Sequence, residues 1–176
     1  MLDSFAALIT FPALQRYVNV HTWIWPVGEI IHFFGMALLV GCVGILDLRM
    51  LGVAKGLPVR PLERLVPWGI FGFVLALLTG VLFVVGDATG PPAVKFQNVA
   101  FQFKMLFMVL AGINVAVFYL SGIAERAHET GPGEDAPGAA KVIAFLSIFF
   151  WIAVIYFGRM IMYTDDLMLH RFFVLD

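Results

Sequence analysis

The sequence is short of charge. Only 13% of its 176 residues are Asp, Glu, Lys or Arg, where a soluble domain carries about 25%. The charge it has is nearly balanced, at a formal net −1, which excludes the basic footprint of a nucleic-acid-binding protein. Cysteine is limited to Cys42, inside an apolar run, so intramolecular disulfides and cysteine-based metal centres are excluded. The stretch MLDSFAALITFPALQRYV lacks a basic n-region and a small-residue cleavage site, and no signal peptide is expected there. Repeats and low-complexity tracts are missing as well.

Apolar residues fill the space that charge leaves. They make up 61% of the chain and give a mean hydropathy of +0.95, more than one small core can hide. Lipid is the implied surroundings. Crossing a bilayer takes about 20 mainly apolar residues, and residues 23–46, 66–86, 99–124 and 139–163 each supply them. The first stretch runs into DLRMLG, with Gly52 as a helix stop. Pro67 opens the second at a permissive first-turn position. The polar segment ERAHETGPGEDAPGAAK, rich in Gly and Pro, separates the last two. The expected fold is all-α, a single-domain integral membrane bundle of four antiparallel transmembrane helices. Residues 1–20 are expected to form a short interfacial segment with Phe5, Leu8 and Ile9 on its apolar face.

Trp23, Trp25 and Tyr163 fit one membrane interface and Trp68 the other. Gly35, Gly41 and Gly44 in the first span, and Gly69, Gly72 and Gly80 in the second, read as close-packing positions. Such small-residue faces permit a homo-oligomer without requiring one. Basic residues set the orientation. Arg49, Lys55, Arg60 and Arg64 follow the first span, and Arg126 and Lys141 follow the third; Arg16, Lys95 and Arg171 lie on the other side. A multi-pass protein of a bacterial inner membrane with both termini periplasmic is expected. Asp47 and Arg49 are expected to pair or cap at the cytoplasmic interface.

Ionisable groups inside a membrane are costly and mark a pairing or a functional path. The spans hold Glu29, His32, Lys104 and Arg159, with Thr79 and Asn114 adding neutral polarity. By a rise of about 1.5 Å per residue, His32 lies about 13 Å from the outer end, Glu29 about 9 Å, Thr79 about 10 Å, Lys104 about 8 Å and Arg159 about 6 Å. All five share the outer half of the bundle; Asn114 falls deeper. Glu29 and His32 share a face of the first span, with Met36 at the next turn; Lys104 shares a face with Met108, and Arg159 with Tyr163.

Three functions are compatible with this set. In the structural one, Glu29 neutralises Lys104 or Arg159, and the chain is a cofactor-free subunit of a membrane complex. In the second, His32 is the axial ligand of haem b, Lys104 and Arg159 engage the propionates or supply a second ligand, and Glu29 orients the site or relays protons. The protein would then carry electrons, for instance between a quinol and a redox partner protein. In the third, Met36 and Met108 join His32 in handling copper, since thioethers suit Cu(I). EIIH at Glu29–His32 and ERAH at Glu125–His128 have the Glu-x-x-His spacing of di-iron bundles, but rise arithmetic separates them by over about 20 Å in depth.

EIIHFFGMALLVGCVGILDLRMLG, LLTGVLF, FQFKMLFMVLAGIN and WIAVIYFGRMIMY together resemble small bacterial four-helix membrane proteins related to the CopD copper-resistance membrane domain and the HemJ-type protoporphyrinogen oxidases. The resemblance covers about residues 21–163. It implies a haem-associated pair at His32 and Lys104, matching the first-helix histidine and third-helix lysine of the HemJ type, and copper uptake on the CopD side. The Glu before the histidine, DLRMLG and FGRMIMY are not HemJ hallmarks. The resemblance therefore implies a fold and a residue pair rather than an oxidase reaction.

Overall fold

The computed structural model describes residues 10–87 and 92–163. Phe5, Leu8, Ile9, Asp165, Asp166, His170 and Arg171 lie outside the described residues. Among the described residues the chain is helical: α1 (Pro12–Val20), α2 (Ile24–Leu51), α3 (Val59–Leu62), α4 (Val66–Val85), α5 (Pro92–Gln97), α6 (Val99–Leu120), α7 (Ile123–His128) and α8 (Gly138–Met160). A 3₁₀ turn over Glu63–Leu65 joins α3 to α4. The helices α2, α4, α6 and α8 are long and apolar enough to cross a membrane, and few of their large apolar side chains are buried. That pattern is inverted from a soluble bundle and suits a lipid solvent.

Gly52 ends α2, as the sequence implies. The third span is shorter than residues 99–124. The chain breaks at Ser121, and Gly122 takes a φ of 72°, which costs a residue with a Cβ about 1–2 kcal/mol. The polar stretch that follows is less loop-like than its composition suggests, because Ile123–His128 forms α7. At the start of α6 the Asn98 side chain accepts a hydrogen bond from the Phe101 amide at 3.1 Å and donates to the Ile161 carbonyl at 3.2 Å. This cap fixes both the start of α6 and its position beside the end of α8.

The helices pack as two pairs, α2 with α4 and α6 with α8, linked chiefly through α2 and α8. Gly35 and Gly72 bring α2 and α4 into backbone contact: a Cβ on Gly35 would lie 2.7 Å from the Gly72 carbonyl oxygen, and one on Gly72 2.6 Å from that of Gly35. Gly69 abuts Val43, whereas Gly41 and Gly44 face open space and take no part in helix packing. Phe157 stacks on Phe103 and Phe107, with ring centroids 5.0 and 5.6 Å apart, and holds α6 to α8.

The two ends of the bundle differ. At the end bearing the α2–α3 and α6–α8 connections, here the loop end, Leu46, Met50, Val59, Phe118 and Ala127 form a closed core. Arg49, with no exposed surface, donates to the carbonyls of Leu57, Gly131 and Glu134 and so ties both connections to α2. The expected pairing with Asp47 does not form, because residues two apart point to opposite sides of a helix. Asp47 is buried and bonds Ser147 of α8; its Oδ2 has no partner among the described residues. At the opposite, terminal end, α4 and α6 make no substantial contact, and a gap remains between the two pairs.

Candidate functional site

That gap is a cavity of about 300 Å³, within the range of small-ligand sites. Its walls come from all four spanning helices: His32 and Met36 of α2, Phe73, Ala76 and Gly80 of α4, Lys104, Met105 and Met108 of α6, and Trp151 and Val154 of α8. Phe96 of α5 also contributes. The lining is almost wholly apolar. Among its named residues only His32 and Lys104 carry a strong polar side-chain group.

His32 is held by a specific hydrogen bond. Its Nδ1 lies 2.8 Å from Thr79 Oγ1. Thr79 is buried, and its hydroxyl lies 2.7 Å from the Leu75 carbonyl and 3.2 Å from that of Ala76. A hydroxyl has one proton. Because Thr79 donates that proton to the backbone of its own helix, it accepts from His32, and Nδ1 carries the ring hydrogen. In the neutral imidazole Nε2 then presents a bare lone pair. Gly80 leaves room beside the ring, since a Cβ there would come within 3.7 Å of His32 Cε1, and Phe83 packs edge-on at 5.4 Å between centroids.

Lys104 extends from α6 alongside α8, where Gly158 leaves space; a Cβ at 158 would lie 3.5 Å from Lys104 Nζ. Among the described residues no hydrogen bond or ion pair engages that nitrogen. Among the described residues, cavity and amine together form an apolar enclosure with one lone-pair donor and one unpartnered amino group.

The other residues singled out in the sequence stand apart. Glu29 is exposed and accepts from Trp25 Nε1 at 3.2 Å. Arg159 is also exposed, donating to Tyr163 Oη at 3.2 Å with its guanidinium 5.5 Å from that ring. Neither lines the cavity, and among the described residues Glu29 forms an ion pair with neither Lys104 nor Arg159. Arg159 follows Gly158, which faces Lys104, by about 100°; Glu29 is offset from His32 by about 60° and lies about 4.5 Å nearer the helix end. Met36 and Met108 do reach the cavity. Asn114 lies elsewhere, buried and donating to the Ile143 carbonyl at 3.0 Å.

By rise along the helices Thr79 lies within about 3 Å of the depth of His32 on a neighbouring span, which is compatible with their hydrogen bond but does not single it out. Phe73, Ala76 and Trp151 carry no comparable mark. Among the described residues, no three His, Cys, Asp or Glu side chains converge in the manner of a metal cluster. Comparison with known protein families, curated proteins and solved structures finds no match.

Proposed function

We propose that this membrane protein binds haem b in the cavity, with His32 Nε2 as axial ligand, and that it transfers electrons within the membrane. The observation that carries this reading is the Thr79 hydrogen bond at His32 Nδ1, the arrangement that fixes ring and tautomer in metal-ligating histidines. The donor set suits the group: an imidazole lone pair, apolar and aromatic walls, space beside the imidazole at Gly80, and an amine that no described residue pairs. Lys104 would serve as a second nitrogen ligand when neutral or as the cation for a propionate when charged. Bound haem supplies one-electron chemistry. The protein's own part is to orient the imidazole through Thr79 and to exclude water with Phe73, Phe96 and Trp151. Glu29 and Arg159, outside the cavity lining, have no direct contact with the group in this reading. A quinol or a redox protein is the electron donor or acceptor, and the terminal end faces the periplasm of a bacterial inner membrane.

A specific observation favours copper as the second reading. Met36, Met105 and Met108 line the same cavity as His32, and three thioethers with one imidazole suit Cu(I).

Optical spectra and metal analysis decide between them. Protein purified from haem-replete cells is expected to show a Soret band and a sharp reduced α-band, both lost in His32→Ala and kept in Glu29→Gln. A folded, colourless wild type would sink the haem reading. Copper retained by that sample, and lost when Met36→Ala and Met108→Ala are combined, would establish the alternative.

A further inference from the structure

At the loop end, a stripe of side chains runs from polar to apolar into the membrane. Arg60 and Arg64 lie four residues apart, on α3 and on the 3₁₀ turn that continues into α4. Both are exposed and border one shallow surface hollow together with Pro61 and Glu63. Four residues further, Trp68 in the first turn of α4 is 59% exposed. Phe71 follows one turn later, 49% exposed and edge-on to the indole at 6.4 Å.

Neither arginine has a hydrogen bond or ion pair among the described residues. The neighbouring carboxylate turns toward other groups: Glu63 Oε1 lies 2.7 Å from His128 Nε2, without hydrogen-bond geometry, and accepts from Tyr119 Oη at 3.5 Å. Most other basic residues of this end are engaged: Lys55 and Lys141 pair with Asp135, and Arg49 is buried on loop carbonyls. Arg126 is exposed, with its Nε alone donating to the Gly122 carbonyl.

The order along the stripe is two guanidinium groups, an indole, then a phenyl ring. A phospholipid presents the matching order, from a phosphate through the ester level to acyl chains. Arginine takes phosphate oxygens in a planar fork, and tryptophan favours the interfacial layer. We infer that Arg60 and Arg64, with Trp68 beneath them, form a binding site for the headgroup phosphate of an anionic phospholipid. This site is separate from the His32 cavity and independent of what that cavity holds.

The test uses the full chain in mild detergent, titrated with phosphatidylglycerol, phosphatidylcholine or inorganic phosphate and followed by native mass spectrometry. Wild type is expected to bind phosphatidylglycerol in preference to phosphatidylcholine. The double variant Arg60→Ala with Arg64→Ala should bind it about 30-fold more weakly, given about 1 kcal/mol per basic residue at an anionic membrane surface. Arg60→Lys with Arg64→Lys should recover part of the loss, and Arg126→Ala should leave binding unchanged. Equal binding of phosphatidylglycerol by wild type and the double alanine variant, both monodisperse, would overturn the proposal. An equal loss in Arg126→Ala would also overturn it, by showing diffuse attraction instead of a site. Displacement of the lipid by millimolar inorganic phosphate would assign the pair to free phosphate and reject the lipid.

Discussion

The Thr79 hydroxyl acts on the cavity through His32, whose Nδ1 it holds. Thr79 donates to its own helix and accepts from His32, so the imidazole can turn only one nitrogen toward the cavity. Thr79→Val keeps the shape and removes the acceptor. A buried donor left unpaired costs about 1–3 kcal/mol, so the variant should lose about that much stability and unfold at a lower temperature. If haem is bound, losing the partner of a ligating histidine should also weaken retention about 10- to 100-fold. Thr79→Ser should restore both. A Thr79→Val protein with wild-type melting and wild-type cofactor content would show that the hydrogen bond does not hold the ring.

Between helices, contact depends on where a Cβ is missing. Gly35 and Gly72 face each other across α2 and α4 with backbone atoms under 3.0 Å from any added Cβ. Backbone cannot swing aside as a side-chain tip can, so Gly35→Ala must push the helices apart. Overpacking of this kind costs about 1–3 kcal/mol. Gly41→Ala, in open space on the same helix, should be neutral or slightly stabilising, since Ala is the better helix former by about 1 kcal/mol. Thermal denaturation of the two variants in one detergent checks the contrast, and equal effects would contradict it. The sequence displays these glycines as equals, because period and composition say nothing of which face meets a neighbour.

For the molecule as a whole, the loop end is fastened and the terminal end is open. Arg49 fastens the loop end with donors to three carbonyls. Arg49→Lys should lose more than about 3 kcal/mol of stability and expose residues 129–137 to proteolysis, because an ammonium cannot reproduce the planar fork and hydrogen bonds to a charged group are worth about 1.5–3 kcal/mol each. Wild-type protease resistance in that variant would remove Arg49 from this role. Asp135 adds a pH-dependent link. Its hydrogen bonds to Lys141 and then Lys55 hold its carboxyl down at about 2, below the ordinary 3.8. A carboxyl depressed on folding stabilises above its unfolded value and loses that contribution as pH falls through the folded one. The link should therefore be constant from neutrality to about pH 5 and fade between about pH 4 and 2. Asp135→Asn should flatten that part of an acid-denaturation curve, and an unchanged curve would exclude the link.

Four membrane-spanning helices were legible in the chain alone, because hydrophobicity over about 20 residues depends on no distant neighbour. Their ends were legible within a few residues where Gly or Pro acts locally, as at Gly52 and Pro67; the Asn98 cap came to light only in the structure. That His32, Thr79 and Lys104 share one half of the bundle followed from rise per residue. Which polar residues meet did not, since that depends on the rotation of each helix about its axis. Helix rotation turned Glu29 and Arg159 outward, joined His32 to Thr79, and buried Arg49 beneath a loop more than 80 residues away in sequence; the divergence of Asp47 from Arg49 was already fixed by their spacing of two. Membrane insertion is a property of the sequence summed along each helix. The cavity is a property of angles between helices, and those are set only when side chains pack.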